Sequence, residues 1–122
     1  MLIPFLISKI HRAKVTGKDL NYSGSISIDE EIMEKACLRE FQKVEIYNIS
    51  NGNRFATYVI TAKRGSKDIT LNGASAHLVS KGDIIIIAAY AFIEERELNS
   101  SKSVILLMKG NNEIEKVLYG KL

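Results

Sequence analysis

Hydrophobic and polar positions alternate along most of the chain, in short runs that are typical of strands. Glycine-containing turns separate these runs, and the glycines lie at positions 17, 24, 52, 65, 73, 82, 110 and 120. The β-rich runs are LIPFLISKIHRAKVT (2–16), KVEIYNIS (43–50), RFATYVITA (54–62), DITL (68–71), DIIIIAAYAFI (83–93) and SVILLMK (103–109). The pattern therefore predicts a mainly β protein with six or so strands.

Two of these runs carry further information about the sheet. Asn51-Gly52 separates the runs 43–50 and 54–62, and Asn-Gly between strand-like runs is the strongest short-range signal for a hairpin. The run that begins at Ile84 has four consecutive isoleucines. Such a continuous β-branched run favours a central strand buried on both faces over a buried helix.

Helix is predicted at only two places. In DEEIMEKACL (29–38), Asp29 can cap a helix, acidic residues fill the first turn, and Ile32, Ala36 and Cys37 form an apolar face. A second, short helical turn is predicted at ASAHLV (74–79). Many short strands with little helix indicate a small closed β-barrel, because closure removes exposed strand edges.

Length and composition limit the class of protein. The 122 residues suffice for one domain with its own core, and 46% hydrophobic with 25% charged residues is ordinary globular usage. The single cysteine, Cys37, excludes an internal disulfide and a multi-cysteine zinc site, fits a reducing compartment, and is expected to be a small buried thiol. The N-terminal apolar segment precedes its basic residues and no run is long enough to span a membrane, so we expect a soluble cytoplasmic protein.

Charge and histidine content argue against two kinds of site. The net charge of +3 is mild and the basic residues are scattered among acids, which gives little support to nucleic-acid binding. His11 and His77 lie far apart, and no His, Asp or Glu spacing resembles a set of metal ligands. No glycine-rich phosphate loop is present either. We therefore expect no metal and no nucleic-acid partner.

The stretch NYSGSISID (21–29) alternates like a strand but contains Gly24 beside Ser25. A glycine in a strand indicates a bulge, a bend or the close approach of another group. An isolated Gly-Ser pair most simply indicates a bulge, and the alternative is a Gly24 carbonyl open to attack by the Ser25 hydroxyl. Other polar residues interrupt the apolar strands and, together with Gly-Ser, predict a site: Lys9, Arg54, Thr57, Tyr58 and the turn Asn72-Gly73-Ala74.

Five stretches of the chain closely resemble the aspartate 1-decarboxylase family of pyruvoyl-dependent enzymes. They are KIHRAKVT (9–16), DLNYSGSISID (19–29), YNISNGNRFATYVI (47–60), RGSKDITLNGASAH (64–77) and KGDIIIIAAY (81–90). YxGS followed by ID, NGxRFxTY, and RGS with NGAxA form a highly specific combination. The resemblance implies a single domain over 1–122 with the fold of a six-stranded double-psi β-barrel with short helices. It also implies a homotetramer with active sites between neighbouring subunits.

The resemblance also implies self-cleavage between Gly24 and Ser25. The products are a β chain, residues 1–24, and an α chain, residues 25–122, in which Ser25 becomes a covalent pyruvoyl cofactor. By resemblance, the Thr57 hydroxyl stabilises the oxyanion that forms when Ser25 attacks. Whether cleavage is spontaneous or needs a maturation factor stays open.

In turnover, the family converts L-aspartate to β-alanine and CO2 for pantothenate biosynthesis, through a Schiff base between the substrate amine and the pyruvoyl ketone. Arg54 offers a planar bidentate fork for the carboxylate that is retained, and Lys9 adds a second positive charge. By resemblance, Tyr58 returns a proton to the decarboxylated carbon. The implied substrate-binding residues are Lys9, Arg54, Thr57, Asn72, Gly73, Ala74 and Ser75.

The chain departs from the family pattern at a few positions. Tyr47 stands where the family often has tryptophan, Ser75 stands where it has alanine, and the segment after Phe92 is only weakly similar. Three other functions stay open: a basic β-domain of the transcription-regulator type, a self-cleaving protein without decarboxylase activity, and a pyruvoyl enzyme for another amino acid. Arg54 with Lys9 favours a substrate that has an acidic side chain.

Overall fold

The computed structural model describes residues 1–120, and these form strands with a few short helices. The strands are β1 (Leu2–Lys14), β2 (Gly17–Asp19), β3 (Ser25–Asp29), β4 (Lys43–Asn48), β5 (Arg54–Ala62), β6 (Ile69–Asn72), β7 (Ile84–Glu94), β8 (Val104–Lys109) and β9 (Glu113–Tyr119). The helix α1 covers Glu30–Lys35, and 3-10 helices cover Gly73–Leu78, Glu95–Ser100 and Gly110–Asn112. The predicted mainly β class with short helices is confirmed.

The strands are hydrogen-bonded in the order β2-β6-β3-β5-β4-β7-β1-β8-β9. The predicted number of six is too low, because β2, β3 and β9 join the six strand-like runs. β2 has only three residues, and the edge strand β9 is largely exposed and rich in charge, so neither has the composition of a buried strand. Among residues 1–120, no ladder joins β2 to β9, and the hydrogen bonding shows no closed cylinder.

The predicted hairpin and central strand are both present. β4 and β5 are antiparallel, and Gly52 in their turn has a φ of +82°. β7 lies between β4 and β1. Burial on both faces is confirmed only for the consecutive residues 87–89, since Ile84 and Ile86 are half-buried and Tyr90 and Phe92 are exposed.

The helix begins as predicted but is shorter. The Asp29 carboxylate accepts a hydrogen bond of 2.8 Å from the backbone N–H of Glu31, and Ile32 and Ala36 are buried. The prediction of a buried thiol at Cys37 is wrong, because this side chain is exposed. The helix ends at Lys35, and Cys37 has a left-handed φ of +57°, so the chain has already left the helix before the thiol can join its apolar face.

Strand register divides the sheet into two faces. Directly opposed residues share a face, and Ile46 and Ile87 are partners within the core. The opposite side carries Arg54 beside Tyr47, and Ala88 beside Lys9. We call this second side of β5, β4, β7 and β1 the outer face. No helix among residues 1–120 is long and apolar enough to span a membrane.

Candidate active site

Ser25 is the first residue of β3 and is fully buried. Its partner on β6 is Asn72, whose Nδ2 donates hydrogen bonds to Ser25 Oγ at 2.9 Å and to Ser27 Oγ at 3.0 Å. Ser25 Oγ donates to the carbonyl of Ser23 at 3.2 Å. The Ser25 hydroxyl is therefore held from two sides, next to the peptide bond that joins it to Gly24.

The backbone of Gly73 closely approaches this peptide bond. Gly73 has a φ of +66°, and a Cβ atom there would lie 2.7 Å from both the Cα and the N of Gly24 and 2.9 Å from the carbonyl oxygen of Tyr22. Only glycine fits at 73. Gly24 itself precedes the strand, has no left-handed φ and has open space at the position of a Cβ, so the predicted bulge is absent and the close contact comes from Gly73.

Tyr58 and Thr57 lie on β5, the other neighbour of β3. Val59 is the partner of Ile26, which places Tyr58 at the level of Ser25. The ring of Phe41 packs beside the Tyr58 ring with 6.2 Å between their centroids. Thr57 is opposite Val44, a core residue. The structure thus brings Tyr58 to the strand level of Ser25, and the oxyanion role of Thr57 stays a prediction.

Arg54 lies on the outer face with Tyr47 and Tyr90. The Arg54 guanidinium carbon is 4.0 Å from the centroid of the Tyr47 ring, and the hydroxyls of Tyr47 and Tyr90 are 2.9 Å apart. Burial, followed by the hydrogen bond with Tyr90, raises the pKa of Tyr47 to about 12. The Tyr47 hydroxyl therefore stays protonated at neutral pH.

Lys9 is half-buried on β1, where it pairs with Ala88. Nearby, burial and then the positive charges of Lys9 and Arg12 lower the pKa of His11, and its Nδ1 is buried without a hydrogen-bond partner. The imidazole is therefore neutral at pH 7. The positive charges of Lys9 and Arg12, which add to the effect of burial on His11, would also attract a carboxylate to this part of the chain.

Within one chain, Arg54, Tyr58 and Lys9 stand apart on the sheet. Arg54 is four residues from Tyr58 along β5, which corresponds to about 13 Å of strand. Lys9 is three strand spacings from β5, or about 14 Å across the sheet. Lys9 is level with Ala56, midway between Arg54 and Tyr58, and is therefore equally far from both. Of these residues, Tyr58 shares the strand level of Ser25, and Arg54 and Lys9 stand apart from it along and across the same sheet.

The remaining predicted residues follow one another from the end of β6 into the 3-10 helix Gly73–Leu78. Asn72 is 4% exposed and its amide is used by the two serines. Ala74 is exposed and Ser75 is half-buried within the 3-10 helix that begins at Gly73. In the described part of the chain, no group of three or more His, Cys, Asp or Glu side chains could hold a metal ion.

Sequence reasoning missed several contacts of these groups: the Ser23 carbonyl, Ser27, Phe41, and the hydroxyl of Tyr90. The contact between Tyr47 and Arg54 could have been predicted, because the Asn51-Gly52 hairpin places these two residues opposite each other. The hydroxyl contact between Tyr47 and Tyr90 spans 43 residues of sequence, so no local pattern indicates it.

Comparison with known proteins agrees with these observations. A family model for aspartate decarboxylase matches residues 1–115. An aspartate 1-decarboxylase of Sulfurimonas denitrificans is 56% identical over 97% of this chain and 98% of the relative. Those of Wolinella succinogenes and Aliarcobacter butzleri are 53% and 51% identical, each over 98% of this chain and over 98% and 94% of the relative. The matches cover the Gly24-Ser25 bond, Arg54 and Tyr58 alike, and the chain belongs to the aspartate decarboxylase family.

Proposed function

We propose that this protein decarboxylates L-aspartate to β-alanine and CO2, a step that supplies pantothenate biosynthesis in the cytoplasm. The activity follows self-cleavage between Gly24 and Ser25, which converts Ser25 into a pyruvoyl group. The observation that carries the proposal is the buried Ser25 hydroxyl, hydrogen-bonded by Asn72 at the Gly24-Ser25 bond of a chain in this family.

The residues around Ser25 fit the formation of a pyruvoyl group at this position. Ser25 is fully buried, so the group would be shielded from bulk water. Asn72 Nδ2 would remain as a donor to an oxygen at this place. Gly73 leaves room for the Gly24 backbone, whereas any side chain at 73 would collide with it.

The cleavage uses the chain's own atoms. The Ser25 hydroxyl attacks the Gly24 carbonyl, the C–N bond of the peptide breaks, and an ester joins the two residues. A donor such as the Thr57 hydroxyl would stabilise the intervening oxyanion. Loss of the Cα proton of Ser25 then expels the Gly24 carboxylate, and hydrolysis of the resulting dehydroalanine releases ammonia and leaves the ketone.

A pyruvoyl group supplies a carbonyl that captures the substrate amine and accepts the electrons released with CO2. The chain's own residues orient the substrate around it. Arg54 binds the carboxylate that must be retained, as a planar fork suited to bidentate contact, and Lys9 adds charge to the same end. Tyr58, at the strand level of Ser25, donates the proton that replaces the lost carboxylate. The 3-10 turn at Gly73, Ala74 and Ser75 lines the pocket.

The separation of Arg54 and Lys9 from Ser25 within one chain suits a site that is shared between two copies of the chain. Tyr90 and Phe92 on β7 are exposed large apolar side chains, and Leu2 and Pro4 lie on the same end of the paired strand β1. Exposed apolar surface of this kind marks an interaction site. We infer a homotetramer in which Arg54 and Lys9 of one subunit complete the Ser25 site of a neighbour. We also infer that each subunit has the six-stranded double-psi β-barrel of the family, extended by peripheral strands.

Intact-mass spectrometry after long incubation tests the proposal. The wild-type chain should yield fragments of residues 1–24 and 25–122, and borohydride with L-aspartate should trap a covalent adduct on the larger one. Ser25→Ala should remain intact. Ser27→Ala is the matched control, since it loses a hydroxyl that binds the same Asn72 amide, and it should still be cleaved.

The outcomes separate the open alternatives. Cleavage without β-alanine would indicate a self-processing protein that lacks the decarboxylase activity, and turnover of a different amino acid would redefine the substrate. A wild-type chain that stays whole, even in a lysate of its source, would contradict the proposal and would leave a maturation factor without support.

A further inference from the structure

Tyr47 lies between Arg54 and Tyr90 on three adjacent strands, β5, β4 and β7. Its ring contacts the Arg54 guanidinium at 4.0 Å, and its hydroxyl contacts the Tyr90 hydroxyl at 2.9 Å. The three side chains thus form a continuous line that ends on a charged group. We call this line the tyrosine relay.

Strand register explains how the relay is built. Tyr47 pairs with Arg54 on one side and with Ile86 on the other. Tyr90 is four residues beyond Ile86 on the same face, about 13 Å away, and the residue midway between them is Ala88. Because Ala88 is small, the two tyrosine side chains can extend toward each other along the strand until their hydroxyls meet.

The Arg54 guanidinium is otherwise free to bind an anion. It is exposed, and none of the ion pairs among residues 1–120 includes it. A long exposed arginine has many rotamers, and the face of an aromatic ring restricts them through a cation-π contact. That restriction works only if the ring itself is fixed, and the hydroxyl of Tyr90 supplies a second anchor at the far end of Tyr47.

The protonation state of Tyr47 bears on the hydrogen bond between the two tyrosine hydroxyls. Burial, then the hydrogen bond with Tyr90, raises the pKa of Tyr47 to about 12, whereas the positive charge of Arg54 acts in the opposite direction. The resulting pKa of about 12 leaves the phenol protonated at neutral pH, so the hydrogen bond between the hydroxyls persists.

We propose that Tyr90 is a positioning residue that fixes the Tyr47 ring beneath Arg54 and thereby holds the guanidinium ready for the substrate carboxylate. This rests on the proposed function, in which Arg54 binds that carboxylate. Tyr90 does not touch the reacting atoms, and its effect on turnover passes through Tyr47.

The test compares Tyr90→Phe with wild type, after intact mass and light scattering confirm equal cleavage and equal assembly. The KM for L-aspartate should rise about fivefold while kcat stays within about twofold. The reason is that a binding contact shared by the ground state and the transition state is weakened, whereas the chemical step is unchanged. Tyr47→Phe should match it, and the double variant should be no worse than either single variant. Tyr119→Phe, which removes the hydroxyl of an exposed tyrosine on the distant strand β9, is the control and should leave both constants unchanged.

A second measurement reports on Arg54 without turnover. Peptide mapping of phenylglyoxal modification should show Arg54 reacting severalfold faster in Tyr90→Phe than in wild type, with Arg39 as the internal reference. An unchanged Arg54 rate, or a fall in kcat in place of the rise in KM, would overturn the positioning role. If the rate rises but wild type does not decarboxylate aspartate, the relay is supported and the proposed function fails.

Discussion

The backbones of Gly24 and Gly73 approach so closely that a side chain at 73 would disturb the proposed cleavage site. A Cβ at 73 would lie 2.7 Å from two atoms of Gly24, and the φ of +66° is itself unfavourable for other residues. The backbone contact at Gly73 and the amide of Asn72 both act on the segment that holds Ser25 and the proposed scissile bond.

We expect Gly73→Ala to lose about 2–3 kcal/mol of unfolding free energy from backbone strain and displacement of the 22–25 segment, and to be cleaved far more slowly than wild type. Thermal unfolding and the cleaved fraction by intact mass measure the two effects. Gly52→Ala is the matched control, since Gly52 has a φ of +82° but no atom within 4 Å of a Cβ. It should lose about 1 kcal/mol and be cleaved normally, and equal cleavage of both variants would contradict this account.

At the scale of elements, Asp29 joins α1 to the turn before β6. Its carboxylate accepts hydrogen bonds from the backbone N–H groups of Glu31 at 2.8 Å, Gly65 at 2.9 Å and Lys67 at 2.8 Å. Lys67 has a left-handed φ of +59°, so the carboxylate also stabilises an unfavourable turn conformation. One side chain therefore holds both the start of the helix and the RGSK turn in place.

Asp29→Asn should lower the unfolding free energy by about 2 kcal/mol, because an amide keeps only one acceptor oxygen and leaves a backbone N–H without its partner. Denaturant unfolding in a Ser25→Ala background, at fixed protein concentration, measures this on an intact chain. Glu30→Gln is the control, because Glu30 is exposed and pairs with Arg64 at 3.4 Å, and its effect should stay below about 0.5 kcal/mol. Equal losses in the two variants would exclude a special role for Asp29.

At the scale of the whole molecule, the proposed tetramer links activity to assembly. Arg54 is about 13 Å along β5 from Tyr58, and apolar side chains on β1 and β7 of the same sheet are exposed. A second copy that covers this surface would bury apolar area and would also bring Arg54 and Lys9 to the Ser25 site of its neighbour.

Phe92→Glu should therefore disrupt assembly and decarboxylation together, since Phe92 is 73% exposed on the inferred contact surface. Light scattering should give about 54 kDa for wild type, which is four chains of 13.6 kDa, and a smaller mass for the variant. Tyr119→Glu is the control, because this residue is similarly exposed on the edge strand β9. A monomeric Phe92→Glu with full activity would show that one chain holds a complete site.

The amino-acid sequence by itself determined the features that depend on neighbouring residues. The Asn51-Gly52 hairpin, the Asp29 cap and most strand positions follow from short-range preferences of turns, caps and alternating side chains. The five stretches that resemble the family also identified it, because the combination of motifs around Ser25, Arg54 and Tyr58 is specific.

Only the tertiary structure decided which distant residues meet. Asn72 reaches Ser25 across 47 residues, Tyr90 reaches Tyr47 across 43, and the short or charged strands β2 and β9 exist because neighbouring strands offer them hydrogen bonds. Cys37 is exposed because the helix ends early, although cysteine side chains are usually buried. Apart from Cys37, these outcomes depend on the register between strands that are remote in sequence. Packing of the whole sheet fixes that register, and no local pattern encodes it.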